Sequence, residues 1–141
     1  MPKMTIYLPD DLAAEVEKEL PGRNISAICQ DALRDELTRA RARAKITAEG
    51  FQRIEAYDED RGHDVAFQGR EIGAFDYGID GAGSAYLTPK GAIAVHTSGG
   101  IGEKVTVYDD YDEFAGDDLP DDLRRSVAES LGEKYIEELD I

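Results

Sequence analysis

Hydrophobic and polar residues alternate one for one at the start of the chain. Met4, Ile6 and Leu8 fall on one face of an extended segment, and Lys3, Thr5 and Tyr7 on the other. Pro9 ends that strand, because it has no N–H for a ladder. It also suits the first turn of a helix, where Asp10 and Asp11 meet the positive end of the dipole. The period then lengthens to that of a helix, with Leu12, Ala13, Val16 and Leu20 as an apolar stripe that Pro21-Gly22 stops. Asn24 or Ser26 can cap a second helix. Its apolar side is Ile25, Ile28, Cys29, Ala32, Leu33 and Leu37, and the pattern runs on through Thr38 to Lys45.

From Phe51 the period returns to two. It predicts short strands over 51–57, 64–68, 71–77, 84–88, 92–97 and 104–108. Gln68-Gly69-Arg70 and Thr88-Pro89-Lys90-Gly91 read as hairpin turns. Asp80-Gly81-Ala82-Gly83 and Ser98-Gly99-Gly100-Ile101-Gly102 read as looser loops. Leu119-Pro120-Asp121-Asp122-Leu123 repeats the wording of Leu8-Pro9-Asp10-Asp11-Leu12 and opens a closing helix, with Leu119, Leu123, Val127, Leu131 and Tyr135 on one side. Gly132 is a candidate break in it. The expected fold class is α+β: a strand-helix-helix segment, then an antiparallel β-rich domain closed by one helix.

A lone strand and two amphipathic helices cannot bury their apolar faces within one chain, since about 45 residues is below the size that usually folds alone. A second copy solves the problem. Two strands would pair antiparallel into a ribbon over a shared core containing Met4, Ile6, Leu8, Ile28 and Leu33, with Lys3, Thr5 and Tyr7 displayed twice on the outer face. A two-stranded ribbon fits the DNA major groove.

Charge separates the chain into two parts. The net charge of −15 would normally argue against binding a polyanion. Yet through Thr47 eight basic residues balance eight acidic ones, whereas from Ala48 onward eight basic residues face 23 acidic ones. The expected domains are therefore 1–47 and 48–141. The run Arg39-Ala40-Arg41-Ala42-Arg43 reads equally well as phosphate contact or solvated helix surface. A single cysteine, Cys29, excludes an internal disulfide, and its place on the apolar stripe predicts a core thiol. With no apolar h-region at the start and no run long enough to span a bilayer, a cytoplasmic location without membrane contact is expected.

Little here suggests an enzyme. His63 and His96 have no His or Cys at ligand spacing, and neither a P-loop nor a G-x-S-x-G motif is present. Gly99-Gly100-x-Gly102 precedes a strand, not a helix, which argues against a phosphate cradle. The carboxylates of Asp109 to Glu113 and of Asp117-Asp118 lack EF-hand spacing and read as solvated acidic surface. No catalytic residue, metal or cofactor is expected.

Across about residues 2–44 the chain resembles the ribbon-helix-helix family of Arc, MetJ and CopG. The resemblance lies in the strand-Pro-Asp-Asp-Leu junction at Leu8 to Leu12, in Gly22-Arg23 and in Asn24-Ile25-Ser26, which is also similar to the DNA-binding half of CcdA-type antitoxins. It implies that Lys3, Thr5 and Tyr7 read bases, and that Arg23, Asn24, Ile25 and Ser26 clamp a backbone phosphate at a helix N-terminus. Tyr7 departs from the arginine or long polar residue that many members carry. The ending Glu137-Glu138-Leu139-Asp140-Ile141 resembles that of the uncharacterised actinobacterial EXLDI family, which brings no assigned activity. The first expectation is a dimeric bacterial DNA-binding regulator, a repressor of its own or a neighbouring gene, whose C-terminal domain senses a small ligand or a protein. The second is an antitoxin whose acidic domain neutralises a basic toxin.

Overall fold

The computed structural model describes residues 6–137 and 139–141. The expected readers Lys3 and Thr5 and the core residue Met4 lie outside them. By their contacts the described residues form two compact units, up to Asp35 and from Glu36. The expected boundary lay at 47/48. The difference comes from the second helix, whose later turns carry residues of the larger unit's core.

In the first unit, residues 6–9 have no regular secondary structure, so no ribbon strand is seen among its described residues. Helix α1 spans Asp10–Glu19 and helix α2 spans Ile25–Glu49. Between them Gly22 takes φ 71°, and Asn24, one of the two candidate caps, accepts a hydrogen bond from the Ala27 N–H at 3.1 Å.

The second unit is an up-and-down antiparallel sheet in the order β1 (Gln52–Asp58), β2 (His63–Asp76), β3 (Ala82–Leu87), β4 (Ile93–Ser98) and β5 (Lys104–Tyr108). Two helices follow, α3 (Tyr111–Ala115) and α4 (Asp121–Leu131), where one was expected. The α+β class with an antiparallel sheet is as expected. One expected turn is not: Gln68-Gly69-Arg70 lies inside β2, which pairs with β1 through residues 63–69 and with β3 through residues 70–76. Gly69 serves close approach and not a turn, because a Cβ there would stand 2.9 Å from the Tyr86 Cβ. A bulge between Glu71 and Gly73 bends the strand as it changes partner.

That bend curls the sheet until β1 nears β5, where the Glu59 N–H donates to the Glu103 carbonyl at 2.9 Å. Helix α4 crosses β2 on one face. Gly73 makes room for it, since a Cβ would lie 2.6 Å from Ser126 Oγ and 2.7 Å from Val127 Cγ2. Ser126 Oγ in turn accepts a hydrogen bond from the Ala74 N–H at 3.2 Å, which ties the helix to the strand. Leu123, Val127 and Leu131 of α4 are fully buried with Phe75, Ala85, Leu87, Ile93, Val95 and Phe114. Each such aliphatic side chain contributes roughly 1.5–3 kcal/mol. Ile46, from the later turns of α2, belongs to the same core. Gly132, in the left-handed region at φ 66°, ends α4 as its sequence suggested.

Candidate nucleic-acid interface

The first unit has almost no interior. None of its described residues is fully buried: α1 has no buried residue, and the only buried residue of α2, Ile46, belongs to the other unit. Leu8, Ala13, Val16, Leu20, Ile25 and Cys29 are half-buried, and those in the two helices fall on the expected stripes. The rest of the apolar surface faces solvent. Ile6 is 56% exposed, Leu12 43%, Ile28 37% and Leu33 56%.

Much of this surface converges. Ile6, Leu8, Ile25, Cys29 and Leu33 border one open groove of about 510 Å³, with Ser26 and Gln30 at its polar edge. Three residues expected in the shared core, Ile6, Leu8 and Leu33, thus meet in space, while Ile28 is exposed but does not line the groove. Cys29, expected as a core thiol, lies half-buried in the groove wall.

The residues expected at DNA are placed as follows. Tyr7 is 82% exposed. Arg23, Asn24 and Ser26 are exposed at the start of α2, with Ile25 half-buried beside them. The first N–H groups of a helix have no intrahelical acceptor. Here Asn24 satisfies that of Ala27, and the Ile28 N–H already reaches the Asn24 carbonyl at 3.1 Å. Arg34 pairs with Asp31 along the helix, well exposed.

Several polar features of the second unit escaped the sequence reading. Asp58 is buried on β1 and paired with Arg61, which also reaches the Val105 carbonyl at 3.4 Å. Burial works to raise the Asp58 carboxyl. The hydrogen bonds from Arg61 and from the backbone of Asp60 and Arg61, with the Arg61 charge, outweigh it and hold the group below the usual carboxylate value. The acidic stretch is helix chemistry: Asp110 accepts from the Glu113 N–H at 2.9 Å, and the Glu113 carboxylate accepts from the Asp109 N–H at 3.0 Å. The D-x-x-E spacing of a capping box was the available signal. Glu133 lies near Arg39 and Arg43 at 3.9 and 4.0 Å, yet burial keeps its carboxyl above the ordinary value against their opposing charge.

Among the described residues no cluster of three or more His, Cys, Asp or Glu side chains is placed to hold a metal ion. No described helix is long and apolar enough to cross a membrane. His96 is within 3.4 Å of Glu103, and His63 Nδ1 lies 3.0 Å from the Asp64 carbonyl, so the two histidines have separate partners. No protein-family profile, curated protein or solved structure matches the chain.

Proposed function

We propose that the N-terminal segment is one half of a ribbon-helix-helix-type dimer that binds double-stranded DNA, and that the protein is a transcriptional regulator repressing its own or a neighbouring gene. The observation that carries this reading is the open apolar groove bordered by Ile6, Leu8, Ile25 and Leu33 in a unit none of whose described residues is fully buried. Groups that cost free energy in water on one chain become a core when a second copy covers them. In such a dimer the strands carrying Ile6 and Leu8 pair with each other. Lys3, Thr5 and Tyr7 then turn outward to read base edges, while Arg23, Asn24, Ile25 and Ser26 hold a phosphate.

The test is a binding titration of the full chain against the DNA upstream of its own gene and a scrambled duplex. Thr5→Ala should cost on the order of 1–3 kcal/mol per lost contact on the cognate duplex and little on the scrambled one. A Thr5→Ala protein that discriminates as well as wild type refutes the assignment of faces.

One observation favours a second reading. Residues from Ala48 onward carry all of the net charge of −15, which would steer them toward a basic protein, as an antitoxin requires. Tight binding to a basic partner, with no discrimination between duplexes, would favour this reading over the first.

A further inference from the structure

The curled sheet has two faces, and α4 covers only the one that carries Leu87, Ile93 and Val95. On the other face Val65 and Phe67 of β2, Ala94 of β4, and Val105 and Val107 of β5 border an open cleft of about 560 Å³. That is the size of a small-molecule site, and a mostly apolar lining with few polar groups is what such sites have. Ala94 and Val105 are nearly inaccessible, but Val107 is 51% exposed toward the opening.

The charge around the cleft runs against the rest of the protein. Acidic residues outnumber basic ones 31 to 16, yet no carboxylate is among the described residues that line it, and two cations are, Arg61 and Lys90. Arg61 is committed to Asp58. Lys90 sits in the turn between β3 and β4, which the Gly91 N–H closes on the Thr88 carbonyl at 2.9 Å, and it makes no ion pair among the described residues. An apolar trough with one uncommitted ammonium at its edge complements a molecule with an apolar body and one negative head.

We propose that this cleft binds a small amphipathic anion, a medium-chain aliphatic carboxylate, with its chain along Val65, Phe67 and Val107, over a floor formed by Ala94 and Val105, and its head on Lys90. The proposal rests on nothing in the N-terminal unit, so it stands or falls separately from DNA binding.

The test uses the full chain and decanoate below its micellar concentration, followed by amide chemical shifts because the protein has no tryptophan. Decanoate should shift the amides of β4 and β5 saturably, and decyltrimethylammonium, which has the same chain and the opposite charge, should not. Lys90→Gln changes an exposed turn side chain and should weaken decanoate about tenfold while leaving decanol binding unchanged. Val107→Glu places a carboxylate at the opening and should abolish decanoate binding. Absence of saturable shifts with decanoate, equal affinity for the ammonium probe, or undiminished binding by Lys90→Gln would each overturn the proposal.

Discussion

Replacing Leu33 with alanine separates a chain that stands alone from one that is half of a dimer. In the single chain Leu33 is 56% exposed and borders the open groove, so less than half of its side chain is out of water. Truncation should then cost no more than about 1 kcal/mol. If a second copy fills the groove, Leu33 becomes a core residue, and the loss rises to about 2–5 kcal/mol per chain. Two copies change together in a symmetric dimer, so even the lower figure gives about 4 kcal/mol, or roughly a thousandfold in the dissociation constant. Sedimentation of wild type and Leu33→Ala across a concentration series reads this directly. Ile79→Ser is the control, because Ile79 is 92% exposed outside the groove and should leave association unchanged. A wild type that stays monomeric at the highest concentrations, or a Leu33→Ala dimer as tight as wild type, would refute the reasoning that joins the exposed groove to self-association.

Two further expectations concern the second unit. Gly73→Ala should destabilise it by about 1–3 kcal/mol, read as a lower urea midpoint, because the new methyl meets Ser126 Oγ and Val127 Cγ2 at 2.6 and 2.7 Å and α4 must move away. An unchanged midpoint would mean that α4 does not lie against β2 at this point. Asp58 has a folded pKa below its unfolded value, so its contribution to stability is present above about pH 4 and is lost as the pH falls through the lower folded value. Asp58→Asn should therefore be less stable at neutral pH and should show a flatter loss of stability as the pH falls below about 4. Parallel curves for wild type and variant would remove the Asp58–Arg61 pair from the account.

Where local chemistry decides structure, the sequence was enough. The turn at Thr88 to Gly91, the strand over 104–108, the stop at Gly132 and the two helices opening after Pro-Asp-Asp need only neighbouring residues, and each stands where its pattern put it. What failed depended on distant partners. Gln68-Gly69-Arg70 carries turn residues, but Gly69 is there because Tyr86 is close, and Arg70 because it reaches the Glu49 carboxylate at 3.2 Å. The length of β2 follows from packing that no window of neighbours contains, whereas the long run of α2 was already legible through Lys45. In the candidate interface the apolar period selected residues that do share a groove. The polar half of the prediction, Lys3 and Thr5, lies outside the described residues, and Tyr7 is known only to be exposed.

The strand order has a consequence for how the second unit assembles. Every strand pairs with its sequence neighbour, so each hairpin closes a short loop and little chain entropy is lost before contacts reward it. Within the sheet only the curl is non-local, since Arg61 must find the carbonyl of Val105, 44 residues away. The meander can therefore grow hairpin by hairpin, with closure of β1 toward β5 as its last and most entropically costly step. Until that step the edges of β1 and β5 are open to other strands, and the charge that accumulates after Ala48 then acts as a kinetic guard, keeping like-charged chains apart while the edges are bare.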